Sequence, residues 1–123
     1  LAEGMRNRSA AAVEADPRDV HIICSGTRGE ISLDDCLAAG AIVERLLDAG
    51  RELGSDDSGL VCLRLWHDAK RTGVLSAMRA SRGGRNLVRL GFDADVELCS
   101  TVDAVDVLPR YDEVAGMITL ASE

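Results

Sequence analysis

The feature that most narrows the fold is a short β-branched run that gives way to glycines and then to a helix start. Val20-His21-Ile22-Ile23-Cys24 is apolar and lies between Pro17 and Gly26, and a run of this kind reads as a buried central strand. Ser25-Gly26-Thr27-Arg28-Gly29-Glu30 has the composition of a loop. Ser32 followed three residues later by Asp35 has the form of a capping box opening a helix. Strand, glycine loop and helix in that order form a unit of layered α/β structures.

The rest of the chain extends this pattern. Leu1 to Ala15 reads as a short helix that Asp16-Pro17 ends. From Leu33 to Leu53, Leu37, Gly40, Ala41, Val43, Leu46 and Leu47 recur near helical spacing, and Ala38-Ala39-Gly40-Ala41 leaves room for another element to come close. Ser55-Asp56-Asp57-Ser58 is a second helix-start signal, with a helix expected to about Lys70. A third helical pattern begins at Gly73, is interrupted or kinked at Gly83-Gly84, and is capped by Gly91. Asp95 to Cys99 alternates as a strand, Ala104 to Leu108 is a second run closed by Pro109, and Gly116 to Leu120 is a third. At 123 residues this is one domain or half-domain. It contains no internal repeat.

Several functional classes are excluded. The net charge is −7 and Trp66, Phe92 and Tyr111 are the only aromatics, whereas nucleic-acid binding needs a basic footprint and stacking platforms. The longest uncharged apolar run, Cys36 to Val43, is too short to cross a bilayer. Cys24, Cys36, Cys62 and Cys99 form no CxxC pair, which argues against zinc and for free thiols in a reducing cytoplasm. The chain opens at Leu1 without methionine, as part of a larger protein would.

The candidate chemistry lies in three places. The loop after the first run offers backbone N–H groups, two hydroxyls and an arginine next to a helix start, the components of a phosphate cradle, although a plain turn needs the same glycines. Cysteine phosphatases clasp phosphate between a thiolate and an arginine at a fixed spacing. Counted from Cys24 that position is Glu30, and Arg28 comes too early. Asp34 and Asp35 can hold Mg2+ beside a phosphate, or simply complement the helix dipole. Ser81-Arg82-Gly83-Gly84-Arg85-Asn86 brings two arginines to a helix junction, and their forks match phosphate or sulfonate oxygens. Between Arg64 and Arg89 the only acid is Asp68. A basic stretch of this kind can concentrate a small anion, or its arginines can pair with the many surface carboxylates.

Taken in order, these stretches resemble the 2-phosphosulfolactate phosphatase family. The match runs through Ile22-Ile23-Cys24-Ser25-Gly26-Thr27, Gly29, Ile31-Ser32-Leu33-Asp34-Asp35 and Ala39-Gly40-Ala41-Ile42-Val43. It continues through Ser81, Gly84-Arg85-Asn86-Leu87, Leu90-Gly91-Phe92 and Asp95-Val96-Glu97-Leu98-Cys99. The resemblance covers nearly the whole chain but only about the second half of a typical member. It implies a three-layer α/β/α fold with a mixed sheet, of which this chain is the C-terminal half. It also implies Mg2+-dependent hydrolysis of 2-phospho-3-sulfolactate to 3-sulfolactate and phosphate, a coenzyme M biosynthesis step. The family usually has alanine at the position of Ser25 and glutamate at that of Asp34, which moves the metal role toward Asp35.

The expected site on this reading comprises Asp35 and Arg85 as catalytic residues, with Ser25, Gly26, Thr27 and Ser81 around the phosphate. Asp35 and Asp34 would take Mg2+. The expected partners are a small anionic phosphorylated substrate and a missing N-terminal half or second subunit. Two alternatives remain: a phosphatase of the same fold acting on another small phosphorylated hydroxy acid, and a non-catalytic half-domain serving an interface.

Overall fold

A computed structural model describes residues 19–105 and 107–120. The expected helix at Leu1–Ala15 and its Asp16-Pro17 boundary lie outside them. Five helices are followed by a hairpin: α1 (Leu33–Asp48), α2 (Ser58–Thr72), α3 (Val74–Ala80), α4 (Arg82–Arg89), α5 (Asp93–Cys99), then β1 (Pro109–Asp112) and β2 (Met117–Leu120). The described residues are thus a mixed α/β structure holding one two-stranded antiparallel sheet.

The local chemistry explains most of the helix boundaries. Asp34 and Asp35 occupy the first turn of α1 and Arg45 its last, as the helix dipole favours. The helix stops at Asp48, short of the expected Leu53, because Gly50 turns left-handed at φ +80°. The Gly50 N–H then donates to the Leu47 carbonyl and that of Arg51 to the Leu46 carbonyl, the paired bonds of a Schellman close. Gly91, at φ +86°, ends α4 in the same way, through Gly91 N–H to Val88 and Phe92 N–H to Leu87. The start of α2 is secured from outside the helix, where the Asp56 carboxylate accepts the Ser58 N–H at 2.8 Å.

The core is the seam between α1 and α2. Leu37, Ala39, Gly40 and Val43 from α1 and Trp66 and Ala69 from α2 are buried. Contacts along this seam advance together on both helices. Cys36 meets Cys62, Gly40 meets Cys62 and Trp66, and Glu44 meets Trp66, His67 and Lys70. The two helices therefore run side by side in the same sense, and residues 49–57 form a return connection. Gly40 sets the separation: a Cβ there would lie 2.1 Å from the Cys62 carbonyl oxygen and 2.7 Å from the Trp66 Cβ. The small-residue stretch expected to allow close approach does so at this position.

Four sequence expectations are corrected. Val20–Cys24 is no buried strand. It is without a ladder partner among the described residues, and Ile23 is 91% exposed. Its β-branched composition suits a sheet interior, but the only paired strands among the described residues lie at the far end of the chain. Asp95–Cys99 is helix, not strand. Asp93 and Asp95 favour a helix N-terminus, and a single buried residue, Val96 at 1% exposure, needs no two-residue period. The described residues of the run before Pro109 form no strand either; Pro109 opens β1, where its missing N–H costs nothing at the first position of an edge.

The fourth correction concerns the junction between α3 and α4. The break falls at Ser81, whose extended backbone (φ −63°, ψ 159°) makes it the N-cap of α4. Its hydroxyl oxygen accepts the Gly84 N–H at 2.8 Å. Gly83 and Gly84 sit inside the first turn of α4. Gly84 is needed there because a Cβ would lie 1.9 Å from the Met78 carbonyl oxygen. Arg79 of α3 reaches α5, with ion pairs to Asp93 (3.2 Å) and Glu97 (2.8 Å).

β1 and β2 pair Pro109 with Leu120, Arg110 with Thr119, Tyr111 with Ile118 and Asp112 with Met117. The Asp112 carboxylate caps the turn by accepting the N–H groups of Val114 and Ala115, both at 2.9 Å. Strand alternation gathers Pro109, Tyr111, Ile118 and Leu120 on one face of the hairpin. None of the five described helices packs against it.

Candidate active site

The glycine loop folds as a tight turn. Thr27 and Glu30 exchange both backbone hydrogen bonds, at 3.0 and 3.2 Å, across Arg28 (φ 57°) and Gly29 (φ 78°). Positive φ at both central residues is a type I′ turn. Gly26 (φ +65°) is required as well, since a Cβ would meet the Glu30 carbonyl oxygen at 2.5 Å. The loop thus owes its glycines first to its own geometry.

Two of the amides expected to cradle phosphate, those of Gly26 and Thr27, are occupied within the chain. The Thr27 N–H donates to the Glu30 carbonyl, and the Gly26 N–H donates to Asp35 Oδ2 at 2.6 Å. The capping box does not form: Ser32, though the N-cap of α1, makes no side-chain capping bond. Its hydroxyl donates to Asp34 Oδ1 at 2.5 Å, and Asp35 turns to the loop. A glycine amide fixing a carboxylate is the kind of outer contact that orients a metal ligand.

Two links then bring α4 to the same place. Arg82 Nη1 pairs with Glu30 Oε2 at 3.1 Å. Gly83 lies so close to Asp34 that a Cβ would stand 2.8 Å from Oδ2. The Thr27–Glu30 turn, the acidic first turn of α1 and the first turn of α4 therefore share one corner of the molecule. Neither Glu30 nor Gly83 is among the expected site residues, Gly83 being expected only as part of a helix kink. The only sequence signal for them is their place inside the two candidate motifs.

The remaining candidates are placed as follows. Ser25 is exposed and Thr27 half-buried. Ser81 is 1% exposed, its hydroxyl engaged in capping α4. Arg85 is exposed and donates to the Ala80 carbonyl, which keeps its guanidinium at the start of α4. Much of the basic stretch is ion-paired: Arg71 with Asp68, Lys70 with Glu44, Arg79 with α5 and Arg82 with Glu30.

Cys24 adjoins the corner, its Sγ donating to the Asp35 carbonyl at 3.7 Å. Burial, then the neighbouring Cys36 thiol and the Asp35 carboxylate, push its thiol up from the ordinary value. Burial and Cys62 do the same to Cys36. Both effects oppose a thiolate nucleophile. Among the described residues no group of three or more His, Cys, Asp or Glu gathers around one point as a metal cage. Asp34 and Asp35 each have one oxygen bonded inside the protein and a second outside those bonds. Such a pair fits Mg2+, which is commonly held by one or two carboxylates together with substrate phosphate and water.

Comparison with known proteins identifies the relatives of this chain. The profile of the 2-phosphosulpholactate phosphatase family matches residues 1–114. A probable 2-phosphosulfolactate phosphatase of Symbiobacterium thermophilum is 36% identical over 104 residues, 83% of this chain and 42% of that one. One from Synechococcus sp. (strain RCC307) is 35% identical over 129 residues, 98% of this chain and 52% of that one. One from Deinococcus radiodurans is 34% identical over 102 residues, 83% and 40%. The chain thus spans about half the length of the curated relatives it matches. No solved structure matches it. With the family's profile matching residues 1–114, nearly all of its length, this chain belongs to the 2-phosphosulpholactate phosphatase family.

Proposed function

We propose that this chain forms part of a Mg2+-dependent phosphatase that hydrolyses 2-phospho-3-sulfolactate to 3-sulfolactate and inorganic phosphate. The observation that carries the reading is the meeting of the α1 and α4 starts, through Asp34 against Gly83 and Glu30 against Arg82. It sets carboxylates for a cation beside guanidinium groups for an anion, as a substrate carrying both phosphate and sulfonate requires. The names of the relatives support the same substrate.

Asp35 and Asp34 would hold Mg2+, which when bound supplies Lewis acidity and an activated water. Gly26 fixes the Asp35 carboxylate through its N–H. Ser25 and Thr27 bring hydroxyls to the phosphate side of the loop. Ser81 holds the start of α4 in place, and Arg85 neutralises phosphate or sulfonate charge with its fork of donors. The partners are a small anionic phosphorylated acid and a second half of the fold, from the same polypeptide or another subunit. That half would complete the site and the three-layer α/β/α arrangement.

Phosphate release from phosphosulfolactate, phospholactate and phosphoglycerate, with and without Mg2+, tests the reading. It is measured for this chain and, as a full-length comparator, for the Symbiobacterium thermophilum relative. Release from phosphosulfolactate that needs Mg2+, and its loss on Asp35→Asn with the circular dichroism spectrum unchanged, is the expected result. Unchanged turnover in that variant removes Asp35 from the site. Preference for another ester reassigns the substrate, and no release from any of them by a folded protein leaves an interface module.

A further inference from the structure

The seam between α1 and α2 carries a pair of thiols that the proposed phosphatase chemistry does not use. The contacts along that seam repeat every four residues on both helices, so that Gly40 faces Trp66 and Glu44 faces Lys70. One step toward the helix starts, the same spacing sets Cys36 opposite Cys62, near enough for the Cys62 side chain to push up the Cys36 thiol. The helices are close beside this pair: a Cβ on Gly40 would lie 2.1 Å from the Cys62 carbonyl oxygen. Two thiols in contact across a close helix crossing meet the proximity that a disulfide needs. Both are half-buried rather than sealed, and both are free.

We propose that Cys36 and Cys62 are a modification site: a reversible disulfide, made by a hydroperoxide, that fastens α1 to α2. The chemistry balances in two steps. One sulfur, through whatever fraction of it is deprotonated, attacks the peroxide O–O bond, giving a sulfenic acid and, from hydrogen peroxide, one water; the raised Cys36 thiol makes this step slow rather than forbidden. The second thiol then attacks that sulfur, the S–S bond forms and a second water leaves. Two thiols have lost two electrons, and the peroxide has taken them up. A dithiol reverses the change by exchange through a mixed disulfide. The link would lie one residue from Asp35, so that oxidation fixes the acidic first turn of α1 against α2. The proposal stands on the helix seam and does not require the phosphatase reading.

The sequence makes the test direct, because trypsin leaves each cysteine on its own peptide: 19–28, 29–45, 52–64 and 90–110. The chain is treated with stoichiometric hydrogen peroxide, alkylated and digested without reductant, and the peptides are weighed. The expected product joins 29–45 to 52–64, disappears with dithiothreitol, and leaves Cys24 and Cys99 alkylated. The intact oxidised chain is expected to run as a monomer and to melt several degrees higher than the reduced one. Cys62→Ser should abolish both the link and the shift, and Cys99→Ser neither. A dominant link from 19–28 to 29–45, links only between molecules, or four alkylated cysteines after oxidation would each overturn the proposal.

Discussion

At the scale of single residues, the candidate corner depends on a few contacts. Ser81 is nearly inaccessible and caps α4 by accepting the Gly84 N–H. Ser81→Ala strands that donor away from water and should cost roughly 1–2 kcal/mol in a urea melt. Gly83 is a sharper case. Alanine in place of a helical glycine normally adds about 0.5–1 kcal/mol of stability. Here the new methyl group would press on the Asp34 carboxylate, 2.8 Å away at Oδ2. Gly83→Ala should therefore show little or no gain alone and recover it in an Asp34→Ala background. A double-mutant cycle reads this as a coupling of about 1 kcal/mol, and additive effects would mean that the two residues do not touch.

Elements stand or fall with the α1–α2 seam. Gly40→Ala inserts a methyl group where backbone already stands, and should cost about 1–3 kcal/mol, measured by denaturant unfolding. Higher on the seam, Lys70 first and then the Trp66 indole N–H hold the Glu44 carboxyl at about 2, below its ordinary 4.5. A carboxyl lowered on folding stabilises the protein fully above its unfolded pKa and loses that contribution as the pH falls toward its folded one. The melting temperature should therefore drop between about pH 4.5 and pH 2, and Glu44→Gln should flatten that part of the profile. This cluster was invisible in the sequence, because Glu44 lies more than twenty residues from its partners. The boundaries of α1, α2 and α3 were largely legible, since acids, glycines and periodic apolar residues act locally. α5 was misread because five alternating residues satisfy a strand as well as one helical turn, and burial of Val96 alone decides between them.

For the whole molecule, the contrast between a small core and a wide apolar exterior governs behaviour. Among the described residues six hydrophobic side chains are buried, whereas Ile23 and Ile31 are about nine-tenths exposed and no described helix covers the apolar hairpin face. An isolated hairpin is marginal in water. Because β1 and β2, among the described residues, pack only on each other, Ile118→Lys should change global stability by less than about 0.5 kcal/mol in a thermal melt. A larger loss would reveal a packing partner for the hairpin. The same contrast explains why the sheet was overestimated from sequence: Val20–Cys24 has the composition of a strand interior, and composition does not supply the neighbouring strands. The corner itself was legible as two motifs. That they adjoin depends on Glu30 and Gly83, which carry no signal of their own.

The same-sense run of α1 and α2 makes tolerance to length change unequal along the chain. An extra residue in 49–57 is slack in a surface connection and leaves the register untouched. One inserted between Gly40 and Glu44 would rotate one end of α1 by about 100° relative to the other. If the Glu44 end kept its grip on α2, Asp34 and Asp35 would swing away from Gly83 and Gly26 together, undoing both anchors in one event.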